Sequence, residues 1–169
     1  RNGKLYAAKI SKKRIKSRKE KKQFYSEIKS QLQANGPSVL KLIGINMKDF
    51  KRHNHPTIIT EYIPNKSLRD NFDDEYKSLA SHDFTSTKKY IILLGIALGM
   101  KHLHFQGIIH RDLKPDNILL DENFYPYICD FGFSEVSDFL FLDFQSKFNK
   151  NCGTPLYMAP EILENNPYT

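Results

Sequence analysis

The sequence predicts an α+β fold in two lobes: a small β-rich lobe with one helix over residues 1–63, then a mainly helical lobe over residues 64–169. Three observations predict it. The strand-like runs Leu5 to Ile10, Val39 to Met47 and Thr57 to Ile63 all fall in the first part. One amphipathic helical run lies among them. Past the break at Pro64-Asn65 strand signals thin out, and two helical runs take over.

The Asn2-Gly3 pair ahead of Leu5 is hairpin-turn chemistry, so Leu5 to Ile10 reads as the second arm of a hairpin. From Lys19 to Gln33, Phe24, Ile28 and Leu32 recur every fourth residue, and Gly36-Pro37 ends the helix. Val39 to Met47 and Thr57 to Ile63 form a hairpin across the polar stretch Lys48 to Pro56. Leu68 to Tyr76 reads as a short helix and Thr87 to Phe105 as a long one. The long helix is apolar nearly all round, which calls for cover on several sides, and Gly95 and Gly99 would let another helix approach closely.

The net charge of +7 is concentrated: Ser11 to Lys22 holds eight basic residues against Glu20, and the remainder is neutral. With no aromatic side chains interleaved for base stacking, the run reads as a solvated helix entry, and nucleic acid is not an expected partner. Two cysteines make no disulfide framework, and the opening residues resemble no secretory signal, so an intracellular, cytoplasmic setting is expected. The most apolar run, Tyr90 to Met100, is eleven residues long, too short for the ~20 that a membrane span requires. His102, His104 and His110 match no zinc spacing.

Chemistry gathers in His110-Arg111-Asp112-Leu113-Lys114-Pro115-Asp116-Asn117, in Asp130-Phe131-Gly132 eighteen residues beyond Asp112, and in Ala159-Pro160-Glu161. Phosphoryl transfer to a hydroxyl needs a proton acceptor, cations on the phosphate oxygens and in-line geometry. Asp112 is the candidate acceptor. Asn117 and Asp130 offer the hard oxygen ligands that magnesium prefers. Lys114 can reach the migrating phosphate and offset its charge.

These blocks resemble a eukaryotic-type protein kinase domain, with the pattern running from Lys9 to Glu161. The resemblance implies a two-lobed kinase fold that uses ATP and Mg2+ and phosphorylates serine or threonine on protein substrates. It implies roles residue by residue. Lys9, in Tyr6-Ala7-Ala8-Lys9, would hold the α- and β-phosphates, with Glu27 as its partner in preference to Glu20. Ala7 would roof the adenine and Leu119 floor it. Thr60 would be the gatekeeper, and the backbone of Glu61 and Ile63 would bond the adenine.

Between Asp130 and Glu161 lies what resembles an activation segment, with Ser137 and Ser146 as candidate regulatory sites and Arg111 as receiver of their phosphate. That makes an upstream activating kinase an expected partner. Thr154, in Gly153-Thr154-Pro155-Leu156-Tyr157, would bond Asp112 and Lys114 and form a platform suited to serine or threonine acceptors. The run from Glu61 to Leu68 is most similar to the tyrosine-kinase-like group.

The chain departs from the family in three respects. It has no glycine-rich loop, the expected reading being an excerpt that lacks the family's first strands and last helices. Glu161 is expected to be an unpaired acid. Gln31 stands where the family has an apolar residue near the Phe of Asp-Phe-Gly. The non-enzymatic alternative is a pseudokinase-like or truncated binding module, and a small-molecule or lipid kinase is a third reading, disfavoured by the Ala-Pro-Glu block.

Overall fold

A computed structural model describes residues 3–12, 14–79, 81–136 and 152–164. Ser137 and Ser146 lie outside the described residues. The architecture is α+β. Three strands, β1 (Tyr6–Ile10), β2 (Leu42–Asn46) and β3 (Thr57–Glu61), form an antiparallel sheet in the order β1-β3-β2. Helix α1 (Arg18–Gln33) joins β1 to β2, and α2 (Leu68–Tyr76) and α3 (Ser86–Phe105) follow the sheet.

Beyond α3, the described residues include four strands that sequence periodicity does not reveal: β4 (Ile108–Ile109), β5 (Ile118–Leu120), β6 (Pro126–Ile128) and β7 (Glu135–Val136). β4 pairs with β7 and β5 with β6, both antiparallel. At two or three residues each they are too short for an alternating pattern to register. A short helix, α4 (Pro160–Leu163), closes the described chain.

Helix α1 starts where Ser17 caps it: Ser17 Oγ accepts from Glu20 N at 3.1 Å, and Glu20 Oε2 accepts from Ser17 N at 2.8 Å. This reciprocal box satisfies backbone donors that a helix start leaves open. The described basic residues around it are exposed, as a solvated entry requires. The buried face is not the expected Phe24, Ile28, Leu32 stripe. Ile28, Ser30 and Gln31 point inward, and Leu32 is 61% exposed. The helix therefore presents a partly polar face to the cleft.

The core gathers Leu68, Phe84, Ile92, Leu103, Ile108, Ile118, Leu120, Phe124, Ile128 and Phe131, with Ala34 and Val39 reaching into it from the first part of the chain. Residues 38–40 run beside β6: Leu40 N donates to Ile128 O and Ile128 N to Ser38 O, at 2.9 and 2.8 Å. Gly95 and Gly99 admit this strand rather than another helix. A Cβ on Gly95 would stand 2.5 Å from Pro126 Cγ, and one on Gly99 would stand 2.8 Å from Ile128 Cδ1. Cover on α3 is one-sided among the described residues, since Ile92, Gly99 and Leu103 are buried but Tyr90, Leu93, Leu94, Leu98 and Phe105 are exposed.

Candidate active site

The site grows out of β4, which delivers His110 and Arg111 to the surface of the core. His110 is buried, its Nε2 donating to Cys129 O at 3.0 Å and its ring edge-on to Phe131. Its Nδ1 accepts from Asp112 N at 3.3 Å, so both nitrogens are used and one neutral tautomer is selected. Burial lowers the His110 pKa from its ordinary value and keeps the ring neutral. Arg111 and Asp130 adopt positive φ, 63° and 65°. For non-glycine residues that costs on the order of 1–3 kcal/mol each, and it persists only where the surroundings over-determine it.

Asp112 sits at the centre of a web. Its Oδ1 accepts from Thr154 Oγ1 at 2.7 Å, and its Oδ2 accepts from Asn117 Nδ2 and pairs with Lys114 Nζ, both at 3.0 Å. Lys114 Nζ also donates to Thr154 Oγ1 at 2.7 Å. Burial pushes the Asp112 carboxyl up, but hydrogen bonds from Thr154, Lys114 and Asn117 and the Lys114 charge outweigh it, and the net shift is down. The Asp112 partnership raises Lys114 in turn. Asn117 is fixed from both sides, since its Nδ2 also donates to Asp112 O and its backbone O accepts from Cys129 N.

A cleft of about 320 Å³ opens beside this web, walled by Ala7, Lys9, Glu27, Thr60, Asn117 and Asp130 together with Ala8, Gln31, Leu40, Ile58, Asp116 and Cys129. Within it Lys9 Nζ lies 2.9 Å from Glu27 Oε1 and 2.7 Å from Asp130 Oδ1. Burial acts to lower the Lys9 pKa, but the two carboxylates reverse that and raise it. Glu20, the other acid weighed for Lys9, is committed to the cap of α1. Burial and the neighbouring Asp130 push the Cys129 thiol up to about 12.

Six of the expected positions thus share one cleft, and Asn117 ties it to Asp112 and Lys114. Glu61, Ile63 and Leu119 stand outside these walls. Glu61 ends β3, its amide donating to Lys41 O and its carboxylate accepting from Lys41 N. Ile63 follows in a segment where no hydrogen bond engages its backbone among the described residues. Leu119 is central in β5, opposite Tyr127. Gln31 is buried and turns its amide to Leu40 O at 3.4 Å. Glu161 is exposed and pairs with no cation among the described residues.

Oxygen donors remain available for a cation. Among the described residues, Asn117 spends its Nδ2 on Asp112 and leaves Oδ1 without a partner, and Asp130 engages Lys9 and Gly132 through Oδ1 and leaves Oδ2 open. An amide oxygen and a carboxylate oxygen on one cleft fit a hard divalent ion.

The chain belongs to the protein kinase family: the protein kinase domain matches residues 1–169. Among similar proteins, ribosomal protein S6 kinase alpha-1 of Rattus norvegicus is 33% identical over 99% of this chain and 21% of its own length. The dual specificity protein kinase shkB of Dictyostelium discoideum is 38% identical over 66% of the chain and 16% of its own length. A protein named as a serine/threonine-protein kinase/receptor of Acanthamoeba polyphaga mimivirus is 36% identical over 78% of the chain and 7% of its own length. The chain spans about a fifth or less of each relative. No helix among the described residues is long and apolar enough to cross a membrane.

Proposed function

We propose that the protein carrying this domain transfers the γ-phosphate of ATP to serine or threonine hydroxyls of protein substrates, with residues 1–63 and 64–169 as its two lobes. Asp112 orients the acceptor hydroxyl and takes its proton, a task suited to a carboxylate kept ionised by its neighbours. Lys114, on the same carboxylate, offsets the charge that spreads over the migrating phosphate. Lys9, aligned by Glu27, holds the α- and β-phosphates.

Asn117 and Asp130 would hold magnesium through their free side-chain oxygens, and the ion would supply charge neutralisation at the phosphate oxygens. Ala7 and Leu119 enclose the adenine, the backbone of Glu61 and Ile63 bonds its edge, and Thr60 limits the depth of the pocket. Thr154, bridging Asp112 and Lys114, sets the acceptor platform for serine or threonine. The names of the relatives do not single out the tyrosine-kinase-like group, to which we assign the chain on the Glu61 to Leu68 run.

The observation that carries the reading is the pair of hydrogen bonds that Asn117 Nδ2 donates to Asp112 O and Oδ2, which joins the candidate base to the cleft holding Lys9 and Asp130. The test uses the full-length protein with MgATP and serine, threonine and tyrosine peptides. Serine or threonine peptides are expected to be labelled, and Asp112→Asn to lower kcat about 10²–10⁴-fold with KM for ATP nearly unchanged. Equal turnover in mutant and wild type would remove Asp112 from its role, and exclusive labelling of tyrosine would overturn the acceptor assignment.

A further inference from the structure

The arginine beside the candidate base is already occupied. Arg111 Nη1 lies 2.6 Å from Glu135 Oε2, and Arg111 Nε donates to Phe133 O at 2.7 Å. The arginine side chain is 12% exposed and the glutamate 35%, so the guanidinium is largely withdrawn from solvent while the carboxylate keeps an edge in water and the pair is partly screened by salt. Glu135 does not reach this position from a free loop. It lies on β7, in register with Ile109 on β4, so the sheet anchors Glu135 opposite the residue two before Arg111.

The backbone of Arg111 faces a second segment. A Cβ on Gly153 would meet Arg111 O at 2.4 Å, so the returning chain packs directly on that carbonyl, one residue from Thr154 and its bond to Asp112. Arg111 is therefore clamped on both sides: by β7 through its guanidinium, and by the Gly153 segment through its carbonyl. Its positive φ has the external support that such a conformation needs.

We propose that Glu135 is the built-in anionic partner of Arg111, a positioning residue that fixes the catalytic loop in place of a phosphate added between Asp130 and Glu161. A phosphate approaching the guanidinium would meet the carboxylate that already holds it, and like charges in a shared, partly buried site oppose one another. The expected receiver of a regulatory phosphate is thus already ion-paired within the chain, although its Nη1 makes no well-aligned hydrogen bond. This inference rests on the phosphotransfer reading for its kinetic arm, and its structural arm is independent.

The experiment takes the full-length protein, treated with a phosphatase until mass spectrometry finds no phosphate in residues 130–161. It measures steady-state kinetics with ATP and a serine or threonine peptide, and amide hydrogen exchange over residues 108–117. The phosphate-free wild type is expected to keep at least about half of its kcat and its loop protection. Glu135→Gln is expected to lower kcat about 10–100-fold with KM for ATP within about twofold, and to speed loop exchange. Glu135→Asp, which keeps the charge, is expected to restore most of both. Exchange over α3 serves as the control for global folding.

The proposal is overturned if removal of phosphate from the wild type abolishes loop protection, or if Glu135→Gln matches wild type in exchange. It is equally overturned if Glu135→Asp is as impaired as Glu135→Gln, since charge would then not be the operative property. A wild type that labels no peptide counts against the phosphotransfer reading, and the exchange comparison still decides whether this pair holds the loop.

Discussion

His110 shows how a residue outside the chemistry sets the geometry of one inside it. Its ring bonds Cys129 O on one side and the amide of Asp112 on the other, so the neutral imidazole acts as a spacer between the Asp112 loop and the segment that follows β6 into Asp130. Burial depresses its pKa below the ordinary value of about 6.5. The unfolded chain then binds a proton more readily than the folded one as the pH falls. Stability linked to His110 is fully present above about pH 6.5 and is lost as the pH drops through the lowered folded value. His110→Leu should flatten that acid limb, measured as the urea midpoint of the full-length protein between pH 5 and 8. It should also destabilise by about 1–3 kcal/mol, because Cys129 O and Asp112 N lose their partner. An unchanged slope would mean that other groups carry the pH dependence.

Cys129 permits a second test at this scale. Its thiol lines the cleft, yet burial and Asp130 raise it to about 12, so the nucleophilic thiolate is scarce at neutral pH. Alkylation by iodoacetamide at pH 7.5 should leave Cys129 unmodified over hours by peptide mass spectrometry, and rapid modification would contradict the assigned environment. Asp112, Asn117 and Asp130 were legible as candidates because their short runs suit one chemistry, and Lys9 and Glu27 were legible only through the resemblance to the kinase pattern. The pairing of Arg111 with Glu135 was not legible. The two are joined only through a strand of two residues, which no periodicity announces.

At the scale of elements, the four-residue α4 was not read, while α1, α2 and α3 were legible almost to the residue, α2 running over the span expected from its pattern. The reason is local: caps such as Ser17 with Glu20 and Ser67 with Asp70 are written within four residues. What an element packs against is not local, and the glycines of α3 illustrate it. Gly95 and Gly99 suggested a helix neighbour, but Pro126 and Ile128 of β6 fill the space. The consequence is opposite in sign to helix propensity. Gly to Ala in a helix interior ordinarily gains up to about 1 kcal/mol, but the Cβ of Gly95→Ala would be driven into the stiff ring of Pro126, and overpacking costs about 1–3 kcal/mol. Gly95→Ala should therefore lower stability by about 1 kcal/mol in denaturant melts. A gain in stability would show that β6 can withdraw without cost.

Over the whole molecule, charge and apolar surface are separated. The excess of positive charge belongs to the run from Ser11 to Lys22 at the entry to α1, and the rest of the sequence is neutral. Self-repulsion, which keeps a protein dispersed, is thus weak over the remainder. There α3 exposes Leu93, Leu94 and Leu98 together with Tyr90 and Phe105, and β2 exposes Ile43 and Ile45. Exposed apolar surface on this scale is covered in use or drives association. Residues 1–169 expressed alone should bind a hydrophobic dye and self-associate at ~100 μM, where exposed apolar surface makes chains aggregation-prone. Leu94→Lys combined with Leu98→Lys should reduce both effects, since it places charge on the uncovered face without touching the buried Ile92, Gly99 and Leu103. Light scattering across a concentration series decides it: a monodisperse wild-type chain, or a double variant that associates just as strongly, would show that this face does not govern the behaviour of the isolated chain.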